Sequence, residues 1–284
     1  MSPAKILVTG ATGQVGREVL RQLVEENVPV RAGARNPGRL SCPPSVETVE
    51  ADLTRPETLR TALDGVEKAF LYAVPQGTAA FLDAARDAGL KHIVLLSSQT
   101  VTDAFPGQEP IVEMHRTVEA AIVESGIAYT FLRPHNFASN ILMWGWPESI
   151  RARRKVRFPY PESHSDVIHE KDIAAVAVKA LLEPGHEGRS YFLSGPESVT
   201  QRRQLEIIAE VVGTPLEFEE RTPDQAREDL AETVPPWVAD AVFAYWTGSD
   251  GVPTHLSDTV EKITGRPART FGEWAADHAA DFRG

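Results

Sequence analysis

The chain is poor in the features that mark secreted, membrane-spanning and nucleic-acid-binding proteins. Its single cysteine, Cys42, excludes an internal disulfide and is typical of a reducing compartment. It has no run of about 18 apolar residues, so no membrane-spanning helix is expected, and a strand that begins at Lys5 leaves no room for a signal peptide. The formal net charge of −11 disfavours a nucleic-acid partner. We therefore expect a cytoplasmic protein that binds neither membrane nor nucleic acid.

The start of the chain has a strand-like run that breaks at glycine and resumes as a helix. Gly10, Gly13 and Gly16 follow the apolar run Lys5–Val8 with the spacing G-x-x-G-x-x-G, which differs from the usual G-x-G-x-x-G. A helix that begins here offers free N–H groups to a dinucleotide pyrophosphate, and glycine lets the phosphate approach the backbone. The alternative is a glycine-rich turn without a ligand. The residues expected to bind the phosphates are Gly10, Thr12, Gly13, Gln14, Val15 and Gly16.

Strand-like and helix-like segments alternate through the first half of the chain. This alternation predicts an α/β fold, a doubly wound, Rossmann-like parallel sheet with a smaller, mostly helical C-terminal substrate lobe. Gly65, Gly89 and Gly126 stand where three helices are expected to end. The predicted strands are Lys5–Thr9, Val30–Ala34, Val46–Glu50, Ala69–Ala73, His92–Ser97 and Tyr129–Leu132. The predicted helices are Val15–Glu26, Pro56–Leu63, Gly77–Ala88 and Val112–Ser125.

The regular alternation of strand-like and helix-like segments ends after Pro134. Residues 135–165 show no clean period; they are followed by a helix at Lys171–Leu182, a strand at Arg189–Ser194 and a helix at Thr200–Val212. We expect residues 1–134 to form the dinucleotide-binding domain, with helix 171–182 packed back on it. Residues 135–165 and 190–284 are expected to form the smaller substrate-binding lobe.

No acidic residue lies between Asn27 and Val46, where NAD-binding proteins carry a carboxylate for the ribose 2′-hydroxyl. Arg35 follows the second predicted strand instead, and a guanidinium binds a 2′-phosphate with paired donors. This favours NADP, as NADPH, over NAD as the cofactor; the alternative is a solvated loop arginine. Asp52, after the third strand, either accepts a hydrogen bond from the adenine amino group or caps the following turn.

The ends of the later strands supply further candidates, because ligands of open α/β sheets bind beyond the carboxyl ends of the strands. Leu53, Ala73 and Val74 are expected along the path of the cofactor. Ser97 and Ser98 are candidates for catalysis, and Ser97 also for cofactor binding, because a hydroxyl there can bind a substrate carbonyl. The alternative is a hydroxyl that ties the loop to itself.

Several stretches taken together resemble a known family over roughly residues 4–215. They are the glycine loop, Ala34-Arg35-Asn36-Pro37, Ala51-Asp52-Leu53, Val94-Leu95-Leu96-Ser97-Ser98, Glu119, Ser125–Pro134, Asp172-Ile173-Ala174, and Tyr191 with Gly195-Pro196-Glu197. They resemble the NmrA-like group, an atypical branch of the short-chain dehydrogenase/reductase superfamily. The resemblance implies NAD(P)H binding but no single reaction, because the group includes quinone, azo-dye and triphenylmethane reductases, reductases of secondary metabolism and redox-sensing regulators.

The chain departs from the superfamily at the catalytic pair. Typical members place Tyr and Lys four residues apart on the helix after the fifth strand, whereas alignment with them puts Ile111 and His115 at these positions. No tyrosine lies between Tyr72 and Tyr129, so the usual acid is missing. His115 is therefore expected either to bind the nicotinamide ribose or to act as an acid near neutral pH. The alternative is a structural histidine.

The segment after the sixth strand is expected to leave the sheet over the nicotinamide. Pro134 is a cofactor candidate for this reason, and the aromatic residues of the lobe either form a wall for a planar substrate or simply pack it. The predicted substrate residues are His135, Asn136, Phe137, Asn140 and Trp144.

These observations favour an NADPH-dependent reductase of a small aromatic or conjugated molecule with a quinone-, imine- or carbonyl-like acceptor. Such acceptors are electrophilic enough to react without the missing tyrosine. The alternatives are an NADP(H)-sensing regulatory protein without catalysis and a non-redox isomerase or cyclase on the same scaffold. The expected partner is a small-molecule substrate, with the chain a monomer or homodimer, and no residue spacing suggests a metal site.

Overall fold

The computed structural model describes residues 5–232 and 234–283. The strands, in chain order, are Lys5–Val8 (β1), Val30–Ala34 (β2), Glu47–Glu50 (β3), Val66–Tyr72 (β4), His92–Leu96 (β5), Ala128–Pro134 (β6), Lys155–Phe158 (β7), His164–Ser165 (β8), Arg189–Leu193 (β9), Val199–Thr200 (β10) and Glu217–Glu220 (β11). The helices are Gln14–Glu25 (α1), Pro56–Leu63 (α2), Pro75–Asp87 (α3), Glu109–Ser125 (α4), Asn140–Met143 (α5), Trp146–Arg153 (α6), Glu170–Leu182 (α7), Gln201–Val212 (α8), Pro223–Ala231 (α9), Pro236–Gly248 (α10), Thr259–Thr264 (α11), Phe271–Asp277 (α12) and Ala279–Phe282 (α13).

The described chain divides into two compact units. The first comprises residues 5–101, 113–134 and 170–192, and its sheet has the strand order β3-β2-β1-β4-β5-β6-β9. Strands β1 to β6 pair in parallel. Strands β1, β2 and β5 are almost wholly buried, as expected of strands covered on both faces of a sheet, whereas the edge strand β3 is polar and partly exposed. The predicted Rossmann-like fold is confirmed. Helix α7 packs on α1, and Gln22 Nε2 donates to the carbonyl of Lys171 at 3.0 Å.

Element boundaries in this unit differ from the predicted ones where polar residues lie inside a strand. Strand β4 begins at Val66 rather than Ala69, because Glu67 and Lys68 remain in the ladder while their side chains bind Lys91 and the Leu181 carbonyl. The edge strand β9 also belongs to this sheet, although residues 190–192 were expected in the second lobe.

The second unit comprises residues 102–112, 135–169 and the described part of 193–283, and it is mostly helical. One apolar cluster gathers around Trp146, Phe158 and Trp274, and a second around Phe243 and Trp246. The segment 135–165 forms α5, α6, β7 and β8, which the sequence did not predict. Trp146, Tyr245 and Trp246 of this unit are packed in these clusters, while Trp237 is exposed. No helix of the described residues is both long and apolar enough to cross a membrane.

Candidate functional site

The turn between β1 and α1 has a conformation that only glycine satisfies at two positions. Gly10 has φ +61°, and a Cβ there would lie 2.9 Å from Tyr72 Cδ1. A Cβ on Gly16 would lie 2.3 Å from the carbonyl oxygen of Gly10, far inside any real contact. The hydroxyl of Thr9 donates to the Phe70 carbonyl at 2.9 Å and ties the turn to β4. The turn is therefore held close to the first turn of α1.

The N-terminus of α1 is open. Gly13 is its N-cap residue with φ −81° and ψ 167°, no side chain caps it, and its first turn carries no acidic residue. Thr12 and Gly13 are exposed, Gln14 is half-buried, and Val15 and Gly16 are buried. The first-turn N–H groups thus keep the partial positive charge that an anion such as a phosphate compensates.

Arg35, Asp52 and Tyr72 lie near one another at the carboxyl ends of β2, β3 and β4. Asp52 Oδ1 accepts hydrogen bonds from the Thr54 N–H at 3.0 Å and from its hydroxyl at 2.8 Å. These bonds lower the pKa of Asp52, and Arg35 lowers it further. Tyr72, whose ring lies against Gly10, was not among the predicted residues; its place as the last residue of β4 was the available signal.

The other residues predicted along the cofactor path have mainly backbone surroundings. Leu53 is buried. Its carbonyl oxygen lies so close to Gly77 that a Cβ on Gly77 would be 2.1 Å from it, so this position of α3 requires glycine. Val74 is the N-cap of α3, and its carbonyl accepts from the Thr78 hydroxyl at 2.8 Å. Ala73, half-buried, joins β4 to this cap. This close approach of backbone to backbone fixes how β3 and β4 end.

Ser97 belongs to a buried network centred on Glu119. Its hydroxyl donates to Glu119 Oε1 at 2.6 Å, and Arg133 donates to both oxygens of that carboxylate, at 2.9 Å and 2.6 Å. Ser98 instead accepts from the Thr100 N–H at 3.2 Å and from the Thr100 hydroxyl at 2.9 Å. The Ser98 hydroxyl thus ties its own loop together, while the network links β5, α4 and β6. The catalytic roles of the two serines remain predictions.

His115 lies one turn before Glu119 on α4. Burial lowers the pKa of His115 to about 4, with Glu119 opposing the shift, so the imidazole is neutral at neutral pH. Its Nδ1 is buried and has no hydrogen-bond partner among the described residues. A neutral imidazole with a free nitrogen is suited to binding a hydroxyl rather than to storing a proton. Pro134, the buried last residue of β6, is in the same unit.

The residues that follow β6 form a polar cluster in the second unit. His135 Nδ1 lies 3.5 Å from Asp166 Oδ2, and Asn136 Nδ2 donates to Asp166 Oδ1 at 3.1 Å. Tyr245 places the edge of its ring against the His135 imidazole, with the centroids 5.1 Å apart. Asp166 was not among the predicted residues, because it is separated in sequence from the residues it binds.

The remaining predicted substrate residues surround α5. Phe137 forms a backbone bridge with Ile168, and the N–H of Asn140 donates to the Phe137 carbonyl at 3.0 Å. Trp144 packs edge-on against Trp246, with centroids 5.1 Å apart. The cavity that Phe137 and Trp144 help to line has a volume of about 10 Å³, too small by itself for an organic acceptor. Among the described residues no group of side chains is arranged to hold a metal ion.

Comparisons with known proteins relate both units to reductases. A family model described as NAD(P)H-binding matches residues 10–184. The chain is 40% identical over 282 residues to (4-alkanoyl-5-oxo-2,5-dihydrofuran-3-yl)methyl phosphate reductase of Streptomyces griseus, covering 98% of this chain and 99% of that protein. It is 36% identical over 288 residues to an NAD(P)H azoreductase of Xenophilus azovorans, with coverages of 98% and 99%. The triphenylmethane reductase of Citrobacter sp., solved with NADP(H), matches with a TM-score of 0.80 at 26% identity, over 96% of this chain and 99% of that one.

Proposed function

We propose that this chain uses NADPH to reduce a small conjugated or aromatic acceptor. The proposal starts from the family: the chain belongs to the NAD(P)H-binding family and is an NAD(P)H-dependent oxidoreductase. The observation that carries the proposal is the open N-terminus of α1 behind a turn that only glycine satisfies. The residues present fit a dinucleotide, since any Cβ at Gly16 would close the space between the turn and the helix.

The acceptor class follows from the relatives and from what α4 lacks. The names of two relatives denote substrates with a polarised double bond: an azo group, and a dihydrofuranone that bears an alkanoyl group on its ring double bond. Hydride addition to such a bond needs no strong acid at the moment of transfer, because a carbonyl or a nitrogen accepts the electron pair. A helix α4 without tyrosine is compatible with this chemistry.

Within this proposal the backbone N–H groups at the start of α1 hold the pyrophosphate, and Arg35 holds the 2′-phosphate. Arg35 is exposed, and Asp52, the carboxylate it influences, is engaged by Thr54. The arginine is therefore available to a phosphate. Bound NADPH supplies the hydride, and the protein orients the acceptor toward it.

The network of Ser97, Glu119 and Arg133 holds the end of β5 against α4 in this proposal. The Arg133–Glu119 pair joins β6 to α4 through two bonds, and Ser97 is fixed by its bond to the same carboxylate. His115 then faces a ribose hydroxyl with a neutral imidazole, consistent with its low pKa of about 4. The role proposed for His115 is to position the cofactor.

The test measures binding and turnover separately on the purified chain. Titration calorimetry with NADPH and NADH should show tighter binding of NADPH. Consumption of NADPH, followed by the absorbance of the reduced nicotinamide, should accelerate with at least one of a para-quinone, an acylated butenolide, an azo dye and a triphenylmethane cation. Binding without turnover of any acceptor would overturn the reductase proposal in favour of a binding protein, and equal affinity for NADH would contradict the role of Arg35.

A further inference from the structure

The side chain of Tyr72, the last residue of β4, lies against the turn that follows β1. A Cβ on Gly10 would lie 2.9 Å from Cδ1 and 3.1 Å from Cε1 of the tyrosine ring, so the ring contacts the backbone of the turn directly. Gly10 therefore lacks a side chain for two reasons, its φ of +61° and the ring beside it. This contact fixes the tyrosine on one face.

The strand order shows in which direction the ring extends. In the sheet, β1 lies between β4 and β2, and β2 lies between β1 and β3. Contact with Gly10 directs the ring from β4 across β1, toward Arg35 after β2 and Asp52 after β3. Burial raises the pKa of Tyr72, Arg35 lowers it and Asp52 raises it. The hydroxyl is thus within electrostatic reach of both charges, and all four residues belong to the first unit.

Two hydrogen-bond donors at these strand ends are unengaged. The hydroxyl of Tyr72 has no hydrogen-bond partner among the described residues, and Arg35, which is exposed, forms no ion pair with any of them. Asp52 is less available to either donor, because its Oδ1 accepts both the N–H and the hydroxyl of Thr54. A phenol and a guanidinium that lie near one another without partners are suited to binding one anion together.

We propose that Tyr72 helps to select NADPH: its ring forms one wall of the adenosine end of the cofactor site, and its hydroxyl donates to the 2′-phosphate that Arg35 also binds. The inference rests on the proposed function, but only on its binding step. A phosphate oxygen accepts a charge-assisted bond from a hydroxyl, whereas NADH has no anion at this position. The hydroxyl should therefore contribute to the binding of NADPH and not to that of NADH.

Packing alone does not account for a tyrosine at the end of β4. Phenylalanine would make the same ring contact with Gly10. A half-buried hydroxyl adds nothing to that contact and loses part of its hydration, which costs free energy unless a partner replaces the water. The 2′-phosphate would supply the missing acceptor.

The binding of two adenosine nucleotides tests the proposal without turnover. Adenosine 2′,5′-bisphosphate and adenosine 5′-monophosphate differ only by the 2′-phosphate, and neither contains nicotinamide. In Tyr72→Phe, calorimetric titration should show the bisphosphate bound about 10-fold more weakly, the loss expected for one hydrogen bond to a charged group at a partly exposed site. Affinity for the monophosphate should be unchanged. NADPH and NADH should show the same contrast.

A second variant and a matched control separate the ring from the hydroxyl. Tyr72→Ala removes the wall as well, so affinity for the monophosphate should also fall, by roughly 2- to 10-fold. The control is Tyr129→Phe, near the start of β6 at the amino-terminal ends of the strands, where the ring stacks on Phe131 with centroids 4.3 Å apart. This variant should bind all four ligands as the parent chain does. Thermal unfolding by circular dichroism reports whether each variant keeps its fold.

The outcomes distinguish this inference from the proposed function. If Tyr72→Phe kept the parental affinity for the bisphosphate, or lost affinity equally for both nucleotides, the role of the hydroxyl would be overturned while the reductase proposal stands. Unchanged binding of the monophosphate to Tyr72→Ala would overturn the role of the ring. If the parent chain bound the bisphosphate no more tightly than the monophosphate, the preference for NADPH in the proposed function would itself fail, and this inference with it.

Discussion

Replacing Gly16 by alanine tests whether the glycine turn holds the cofactor. The added Cβ would lie 2.3 Å from the Gly10 carbonyl oxygen and 2.8 Å from its carbon, whereas ordinary contacts begin near 3.4 Å. The turn or the helix must therefore move by about 1 Å. Both neighbours are backbone, so no flexible side chain can absorb the displacement.

Two opposing effects determine the stability of Gly16→Ala. Alanine favours a helix over glycine by about 1 kcal/mol, while overpacking against backbone costs roughly 1–3 kcal/mol. The overlap is severe, so the net loss expected is about 1–2 kcal/mol, which lowers Tm by a few degrees in a chain of this size. The displaced turn should also lose at least one charge-assisted bond to phosphate, which corresponds to a fall in NADPH affinity of roughly 10- to 100-fold.

Two further alanine variants separate these effects. A Cβ on Gly13 lies 3.3 Å from the Gly10 carbonyl oxygen, so Gly13→Ala should cost under about 1 kcal/mol in stability but place a methyl group at the open helix end and weaken NADPH binding. Gly272, in α12, has only contacts of 3.7 Å and longer, so Gly272→Ala should change neither property unfavourably. Calorimetric titration with NADPH and thermal unfolding by circular dichroism measure both quantities. If both Gly16→Ala and Gly13→Ala bound NADPH with the affinity of the parent chain, the proposal that the glycine turn and the start of α1 bind the cofactor phosphates would be refuted.

Three other changes test the charges of the first unit. Arg35→Ser should weaken NADPH binding by roughly 10- to 100-fold and leave NADH binding unchanged, because only the 2′-phosphate is lost as a partner; a parallel loss for both in calorimetry would refute this. Glu119→Gln should lower the free energy of unfolding by about 3–5 kcal/mol, measured in urea, because it leaves the largely buried Arg133 uncompensated; a loss below about 1 kcal/mol would contradict it. His115, with its pKa of about 4, should destabilise the fold as pH falls from about 6.5 to 4, because the unfolded chain takes up the proton first. His115→Asn should therefore flatten part of the stability–pH curve in that window, and an unchanged slope would contradict the burial argument.

The strands and helices of the sheet could be predicted from the sequence because the residues that mark their ends lie within or beside each element. Gly65, Gly89 and Gly126 end helices with φ of +68°, +72° and +74°, a conformation that glycine tolerates and that the residue type itself signals. The segment 135–165 offered no such signal. Strand β7 is four residues long and pairs with β11, with Val156 opposite Phe218, so its strand character depends on a partner far away in the sequence. Periodicity within one segment does not report such pairing.

The residues of the candidate site likewise fall into those that the sequence predicts and those that it does not. Gly10 and Gly16 were identified because the constraint on each is carried by the residue type itself. Tyr72 was not, since its contact with Gly10 depends on the register between β1 and β4. Asp166 reaches His135 only because the Phe137–Ile168 bridge brings two short segments side by side. Such contacts are set by tertiary pairing, and a single sequence contains no pattern that predicts them.

The supply of protons narrows the choice of acceptor. In the first unit, α4 has no tyrosine, the His115 imidazole is uncharged at neutral pH, and the Glu119 carboxylate accepts bonds from Arg133 and Ser97. This network can therefore position a cofactor but has little proton to give. An acceptor that needs only hydride could be reduced with these groups alone, whereas a neutral acceptor also needs a donor from outside the network. The proton demand of the acceptor, more than its size or shape, is thus the property by which the acceptors admitted by the proposed function are distinguished.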